Sequence, residues 1–254
     1  MVRKWLYPVL ATIAFWAIWW IVASNTRSQL FPTPWQTLRA FIKILSQASS
    51  WCQIGDTTYR VLAGMLIGSL SGTFLGIITR YSRLAEAAVQ SVIYPLLQSV
   101  PTLCWAIILV LWFGLSGATP ILAIAISVAP FFIINIWEGM KELDENLIEM
   151  ASTYTRSHTR MLSKVVLPML YPYIFAASKS SFMVSWKVVI LAEVFGAVSG
   201  IGYMLWTSFQ IYSIDRLFAW TLICAIILIA FDYGVFNFIE RKYMRKWKPS
   251  DQKL

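Results

Sequence analysis

Side chains able to do chemistry are few and scattered in this 254-residue chain. Its one histidine, His158, has no second imidazole to share a metal ion. The three cysteines, Cys52, Cys104 and Cys224, are far apart and odd in number, which implies neither a disulfide framework nor a metal site. There is no Ser/His/Asp or zinc-ligand constellation and no G-x4-G-K-[ST] phosphate loop, so no residue is assigned to catalysis or to metal binding. What remains is charge inside apolar sequence. Lys179, Lys187 and Glu193 fall in the run 169–193, and Asp232 falls in 217–238. Ionisable groups in such runs face a cavity or another helix and mark paths for ions or solutes. On one helix Lys179 and Glu193 would stand about 21 Å apart, too far to pair with each other, and Lys179 can snorkel to the inner interface. Lys187 has two readings: it attracts an anion, or Glu193 of a neighbouring helix or subunit neutralises it.

Uncharged polar residues add to this set. Ser178, Ser181 and Ser185 recur at helical spacing beside Lys187, and Gln98, Ser99 and Thr102 flank or lie between Pro95 and Pro101. Irregular backbone at membrane depth is tolerated only where protein buries it or water reaches it. The break is therefore either part of a solute path or a kink in a structural helix. Gln98, Ser99, Thr102, Ser181, Ser185, Lys187 and Glu193 are the candidate path residues.

The elements that must position them are membrane spans. The chain is 58% hydrophobic and 13% charged, with a mean hydropathy of +0.65, far above a soluble domain. Six spans are expected at about 5–23, 61–79, 87–113, 121–137, 169–193 and 217–238, giving an all-α polytopic protein in a single domain, 1–254. The first is read as an uncleaved helix, because a signal-peptide core is shorter. The net charge of +9 is not gathered into a patch with interleaved aromatics, so no nucleic acid is implied. The bases sit at the ends of apolar runs. Arg3, Lys4, Arg80, Arg83 and the tail bases Arg241, Lys242, Arg245, Lys246, Lys248 and Lys253 fall inside, with Arg27, Arg39, Lys43, Arg60 and Arg216 outside, which places both termini in the cytoplasm.

Two more stretches carry a pattern. Residues 34–46 place Leu38, Phe41, Ile42 and Leu45 opposite Arg39, Lys43 and Ser46, as in a short interfacial helix. In the second span Gly64, Gly68, Gly72 and Gly76 form one stripe on which another helix backbone can approach closely.

Residues 138–168 are the polar centre of the chain. Acids (Glu138, Glu142, Asp144, Glu145, Glu149) precede bases (Arg156, Arg160, Lys164), in the sense that complements a helix dipole. Asp144 or Asn146 is the expected N-cap. Leu147, Met150, Ala151 and Tyr154 then make an apolar face in water, and such a face needs a partner. Pro168 is expected to end a second short helix.

Glu149-Met150-Ala151, Thr155 and Val165-Val166-Leu167-Pro168 resemble the cytoplasmic E-A-A-x3-G-x9-I-x-L-P signature of permease subunits of binding-protein-dependent ABC importers, with Thr155 where that family has glycine. A second segment, Ala192 to Tyr203 (AEVFGAVSGIGY), resembles the A-E-x-x-G-A-x-S-G-[IL]-G-Y stretch of aliphatic sulfonate, taurine and nitrate permeases. The resemblance covers nearly the whole chain and implies the type I importer permease fold in a bacterial inner membrane. It also implies a second permease copy, two ATPase subunits that bind ATP and Mg, and an external solute-binding protein. In that reading Glu149, Met150, Ala151, Tyr154 and Thr155 form the ATPase docking surface, and Leu167 and Pro168 fix the exit into the fifth span. The implied cargo is a small anion such as a sulfonate, taurine or nitrate. The competing reading from the residues is a self-sufficient ion-coupled transporter or channel with Lys187, Glu193 and Asp232 as a relay.

Overall fold

In the computed structural model, residues 2–25, 31–155 and 157–243 are described, without the side chains of residues 2–6, 8, 9, 11–13, 15, 145, 158, 241 and 243. The expected outer Arg27, the loop's Arg156 and the tail bases Arg245, Lys246, Lys248 and Lys253 lie outside the described residues.

The glycine stripe organises the helices. Helix α1 is Val2–Asn25, α2 is Pro34–Leu45, and α3, which carries the stripe, runs from Ala48 to Tyr81. A Cβ on Gly64 would lie 2.6 Å from Ile124 Cβ, one on Gly68 2.7 Å from the Ala125 carbonyl, one on Gly72 2.5 Å from the Ala129 carbonyl and one on Gly76 2.8 Å from Ile136 Cβ. All four partners lie on α7 (Ala118–Lys141) and rise in number with the glycines, so α3 and α7 are parallel. The chain must therefore return across the molecule between them. It does so through α4 (Arg83–Ala88), α5 (Tyr94–Ser99) and α6 (Thr102–Phe113), bent by 87° at the break before Thr102.

After α8 (Glu145–Tyr154) and the one-turn α9 (His158–Met161), α10 (Leu167–Gly196) also packs against α7, and its Phe182, Trp186 and Val189 join Ile124, Val128 and Phe132 in the main core. After α10 come α11 (Ile201–Gln210), α12 (Ile214–Phe231) and α13 (Asn237–Tyr243), with α12 lying against α2. The capping box between Thr33 and Gln36 starts α2, which buries Thr37, Ala40 and Ile44, while Ile42, expected on the apolar face, is exposed.

Among the described residues, four helical stretches are long and apolar enough to cross a membrane: 48–81, 118–141, 159–196 and 214–240. The bent pair makes a fifth if taken as one crossing. The fold is thus all-α and polytopic with four to five apolar spans.

Of three π-helical turns among the described residues, Val89–Ile93 and Leu162–Val166 stand immediately before Tyr94-Pro95 and Leu167-Pro168, while Asp232–Phe236 precedes no proline. A proline ring pushes away the carbonyl four residues back and offers no N–H. The residue before each proline instead bonds five back, Tyr94 N–H to the Val89 carbonyl and Leu167 N–H to the Leu162 carbonyl. Pro168 therefore does not end a helix, as expected from the residue before it; it sits in the first turn of α10, and helix continues from Thr159 to Gly196.

Candidate functional site

At the inner end, α8 (Glu145–Tyr154) begins at Asp144, whose carboxylate accepts the Asn146 N–H at 2.9 Å. One side of α8 is anchored: Ile148 joins Ile136, Met140, Leu143, Val166 and Leu170 in a second core built from the ends of α7 and α10. Gly139 supports that corner, since a Cβ there would lie 2.6 Å from the Tyr173 ring. The other side is bare. Leu147, Met150 and Tyr154 are 43%, 55% and 87% exposed, Glu149 is exposed, and Ala151 is half-buried. Thr155 ends α8 with φ −149 and ψ 130, an extended conformation any residue adopts, so the turn needs no glycine here. Its hydroxyl accepts the Ser157 N–H. Leu167 and Pro168 are half-buried where the helix passes into α10.

The expected path residues separate into two groups. Gln98, Ser99 and Lys187 are exposed and Thr102 is half-buried. On the two arms of the bent pair, Gln90 Nε2 and Trp105 Nε1 are buried without an acceptor among the described residues. Ser181, Ser185 and Glu193 are fully buried. Both serines bond back to their own helix, Ser185 to the Ser181 carbonyl at 2.8 Å and Ser181 to the Ser178 carbonyl at 3.3 Å. Lys179 does not stand alone in the interface; it pairs with Glu240 of α13 at 2.7 Å.

Glu193 has a partner that sequence reasoning placed elsewhere. Arg60, expected in an outer loop, lies within α3, is 7% exposed and meets Glu193 Oε1 at 2.6 Å. The carboxylate also accepts the Thr57 hydroxyl at 3.0 Å and the Gly202 N–H at 2.8 Å. Arg60 reaches on to the Ser199 carbonyl at 2.6 Å and its hydroxyl at 2.7 Å, while Gln53 Oε1 accepts the Gly200 N–H and Thr57 Oγ1 accepts the Ile201 N–H. Gln53, Thr57 and Arg60 stand at i, i+4 and i+7, one face of α3. They staple α3 to the corner between α10 and α11. Gly200 has φ +107, and a Cβ on it would lie 2.3 Å from the Glu193 carboxylate, so both its conformation and its bareness are required. The 192–203 segment is thus a cradle for a buried ion pair, and Glu193 does not neutralise Lys187. Nor is the relay assembled, because neither Lys187 nor Asp232 forms an ion pair among the described residues. The legible signal was the polar triplet at helical spacing just before an apolar run.

Residues 64–243 match the family described as "Binding-protein-dependent transport system inner membrane component". The chain belongs to that family; it is a non-catalytic membrane permease subunit of an ABC importer, multi-pass in the bacterial inner membrane. It is 27% identical to the putative aliphatic sulfonates transport permease protein SsuC of Bacillus subtilis, over 97% of this chain and 89% of that one. To the taurine transport system permease protein TauC of Escherichia coli it is 25% identical, over 91% and 90%. Among solved structures, an amino acid ABC transporter shares the fold with a TM-score of 0.59 at 19% identity, covering 82% of this chain and 94% of the other.

Proposed function

We propose that this subunit passes a small anion, of the sulfonate, taurine or nitrate kind, from an external solute-binding protein to the cytoplasm. It would do so as one half of a homodimer bound below to two ATPase subunits, which hold the ATP and Mg. The observation that carries the reading is α8: an amphipathic helix clamped along one side to the ends of α7 and α10, with Leu147, Met150 and Tyr154 turned to solvent. Burying such side chains against a partner is worth about 1.5–3 kcal/mol each, enough for a docking surface completed by Glu149, Ala151 and Thr155. Because Ile148 ties α8 to α7 and α10, a displacement of the docked ATPases is passed to both helices, with Leu167 and Pro168 at the junction. Nucleotide drives the change only through different affinities for the two states.

Two further points support the topology of six spans with both termini inside. Parallel α3 and α7 require one return crossing, which the bent pair supplies. Helix α1, at 24 residues or about 36 Å, is long enough to be the remaining span. For the path we assign the exposed Gln98 and Ser99, the half-buried Thr102, and Lys187, an exposed ammonium with no ion pair among the described residues. Ser181, Ser185 and Glu193 act in this reading as the packed wall behind it. Support for an anionic cargo comes from the sulfonate and taurine permeases to which the chain is similar.

The coupling surface is tested by Met150→Asp and Tyr154→Asp. Both side chains are exposed, so the permease keeps its thermal stability, while its affinity for the ATPase subunit falls about 30-fold, as expected when a central apolar contact is lost. Full uptake by both variants would overturn the assignment.

A further inference from the structure

A cavity of about 250 Å³ lies at the inner end of the bundle between α3, α4 and the end of α7, lined by no residue of α8 or of the proposed path. Arg80 and Lys141 are its cations and Glu86 its carboxylate; Thr79, Trp137 and Met140 form the rest of the wall. Its architecture is fixed by internal bonds. Arg80 donates to the Met140 carbonyl at 3.1 Å, which ties α3 to the C-terminal turn of α7. Trp137 donates its indole N–H to Glu86 at 3.1 Å, and the Lys141 ammonium lies 3.3 Å from the centre of the Trp137 ring. Neither cation has a carboxylate within salt-bridge distance among the described residues, and both are exposed. On the two helices that give the cavity Thr79, Arg80 and Glu86, the neighbouring Tyr81 and Leu84 are exposed apolar side chains.

We infer that this cavity binds the headgroup of an anionic phospholipid of the cytoplasmic leaflet. Arg80 and Lys141 meet the phosphate, Trp137 stands at the glycerol level, and the acyl chains run out past Tyr81 and Leu84. The chemistry is that of a basic pocket between membrane helices on the cytoplasmic side, with an aromatic residue at the interface. Two cations against one carboxylate leave the wall net positive. Glu86 is already engaged by Trp137, so it shapes the cavity without neutralising either base. The inference rests on the orientation of the chain in the membrane and not on which solute is carried.

The test is lipid binding to the intact transporter, permease with its ATPase, by native mass spectrometry in titrations of dioleoylphosphatidylglycerol, dioleoylphosphatidylcholine and inorganic phosphate. Phosphatidylglycerol is expected to bind in preference to phosphatidylcholine. Lys141→Gln lowers its affinity about fivefold, as for one basic residue at a charged surface. Arg80→Gln lowers it similarly but also loosens the Met140 contact, so Glu86→Gln serves as the opposite arm: it keeps an acceptor for Trp137, removes the negative charge and tightens phosphatidylglycerol binding. Equal binding of the two lipids, or indifference to Lys141→Gln and Glu86→Gln together, overturns the proposal. Binding of inorganic phosphate as tight as that of phosphatidylglycerol overturns it too, in favour of an aqueous ligand.

Discussion

Glu193 shows how much one carboxylate costs when it is carried into apolar surroundings, and how the cost is met. An isolated buried charge is penalised heavily. Here the guanidinium of Arg60, the Thr57 hydroxyl and the Gly202 N–H all converge on it. Breaking such a pair from one side costs about 3–5 kcal/mol, because the other charge stays behind uncompensated. Arg60→Met is therefore expected to lower the thermal stability of the purified permease sharply, and Glu193→Gln less, since the Arg60 left behind keeps its bonds to the Ser199 carbonyl and hydroxyl and the amide still accepts from Gly202. The double variant Arg60→Met with Glu193→Gln should be more stable than Arg60→Met alone. If melting shows the two single variants equally harmed, the carboxylate is not the centre of the network.

At the scale of helices, the α3–α7 contact depends on backbone approach, and its glycines are not interchangeable. A methyl at Gly72 would stand 2.5 Å from the Ala129 carbonyl oxygen, a backbone atom that cannot rotate aside, so Gly72→Ala forces the helices apart. Overpacking of this kind costs about 1–3 kcal/mol. Gly55, on the same helix, has nothing within 4 Å of its would-be Cβ, so Gly55→Ala should be neutral or stabilising by up to about 1 kcal/mol. Melting temperatures check the point: that of Gly72→Ala falls, while that of Gly55→Ala stays or rises. This contact was legible beforehand, because four glycines spaced by four leave few alternatives. The π turns were not: Pro95 and Pro168 announce a disturbance, but whether the helix stops or adds a residue per turn depends on what holds its two ends. For Pro168 the inner core of Val166, Leu170 and Ile136 holds both sides of the turn, and the helix runs on.

For the whole molecule, the sharpest expectation concerns Lys187. It has no ion pair among the described residues to lose. Lys187→Met should therefore leave stability and complex assembly intact while reducing uptake of the proposed anion at least about tenfold, a loss of at least roughly 1.4 kcal/mol of differential interaction. Unchanged uptake in vesicles would remove Lys187 from the path. The sequence by itself determined what depends on local composition and spacing: apolar runs long enough for a bilayer, the bases at their ends, the glycine stripe, and an amphipathic helix starting at Asp144 or Asn146. Only the tertiary structure decided which charges meet. Arg60 looked like a loop residue because the apolar run begins after it, yet α3 starts twelve residues earlier and buries it. Glu193 was taken for a path residue because intramembrane charge is costly by default. Its partner is 133 residues away in the chain, and no local pattern encodes a contact that exists only once α3, α10 and α11 have packed. For Ser181 and Ser185 helical spacing gives one shared face, but only packing tells whether that face meets water or another helix, and here both are buried.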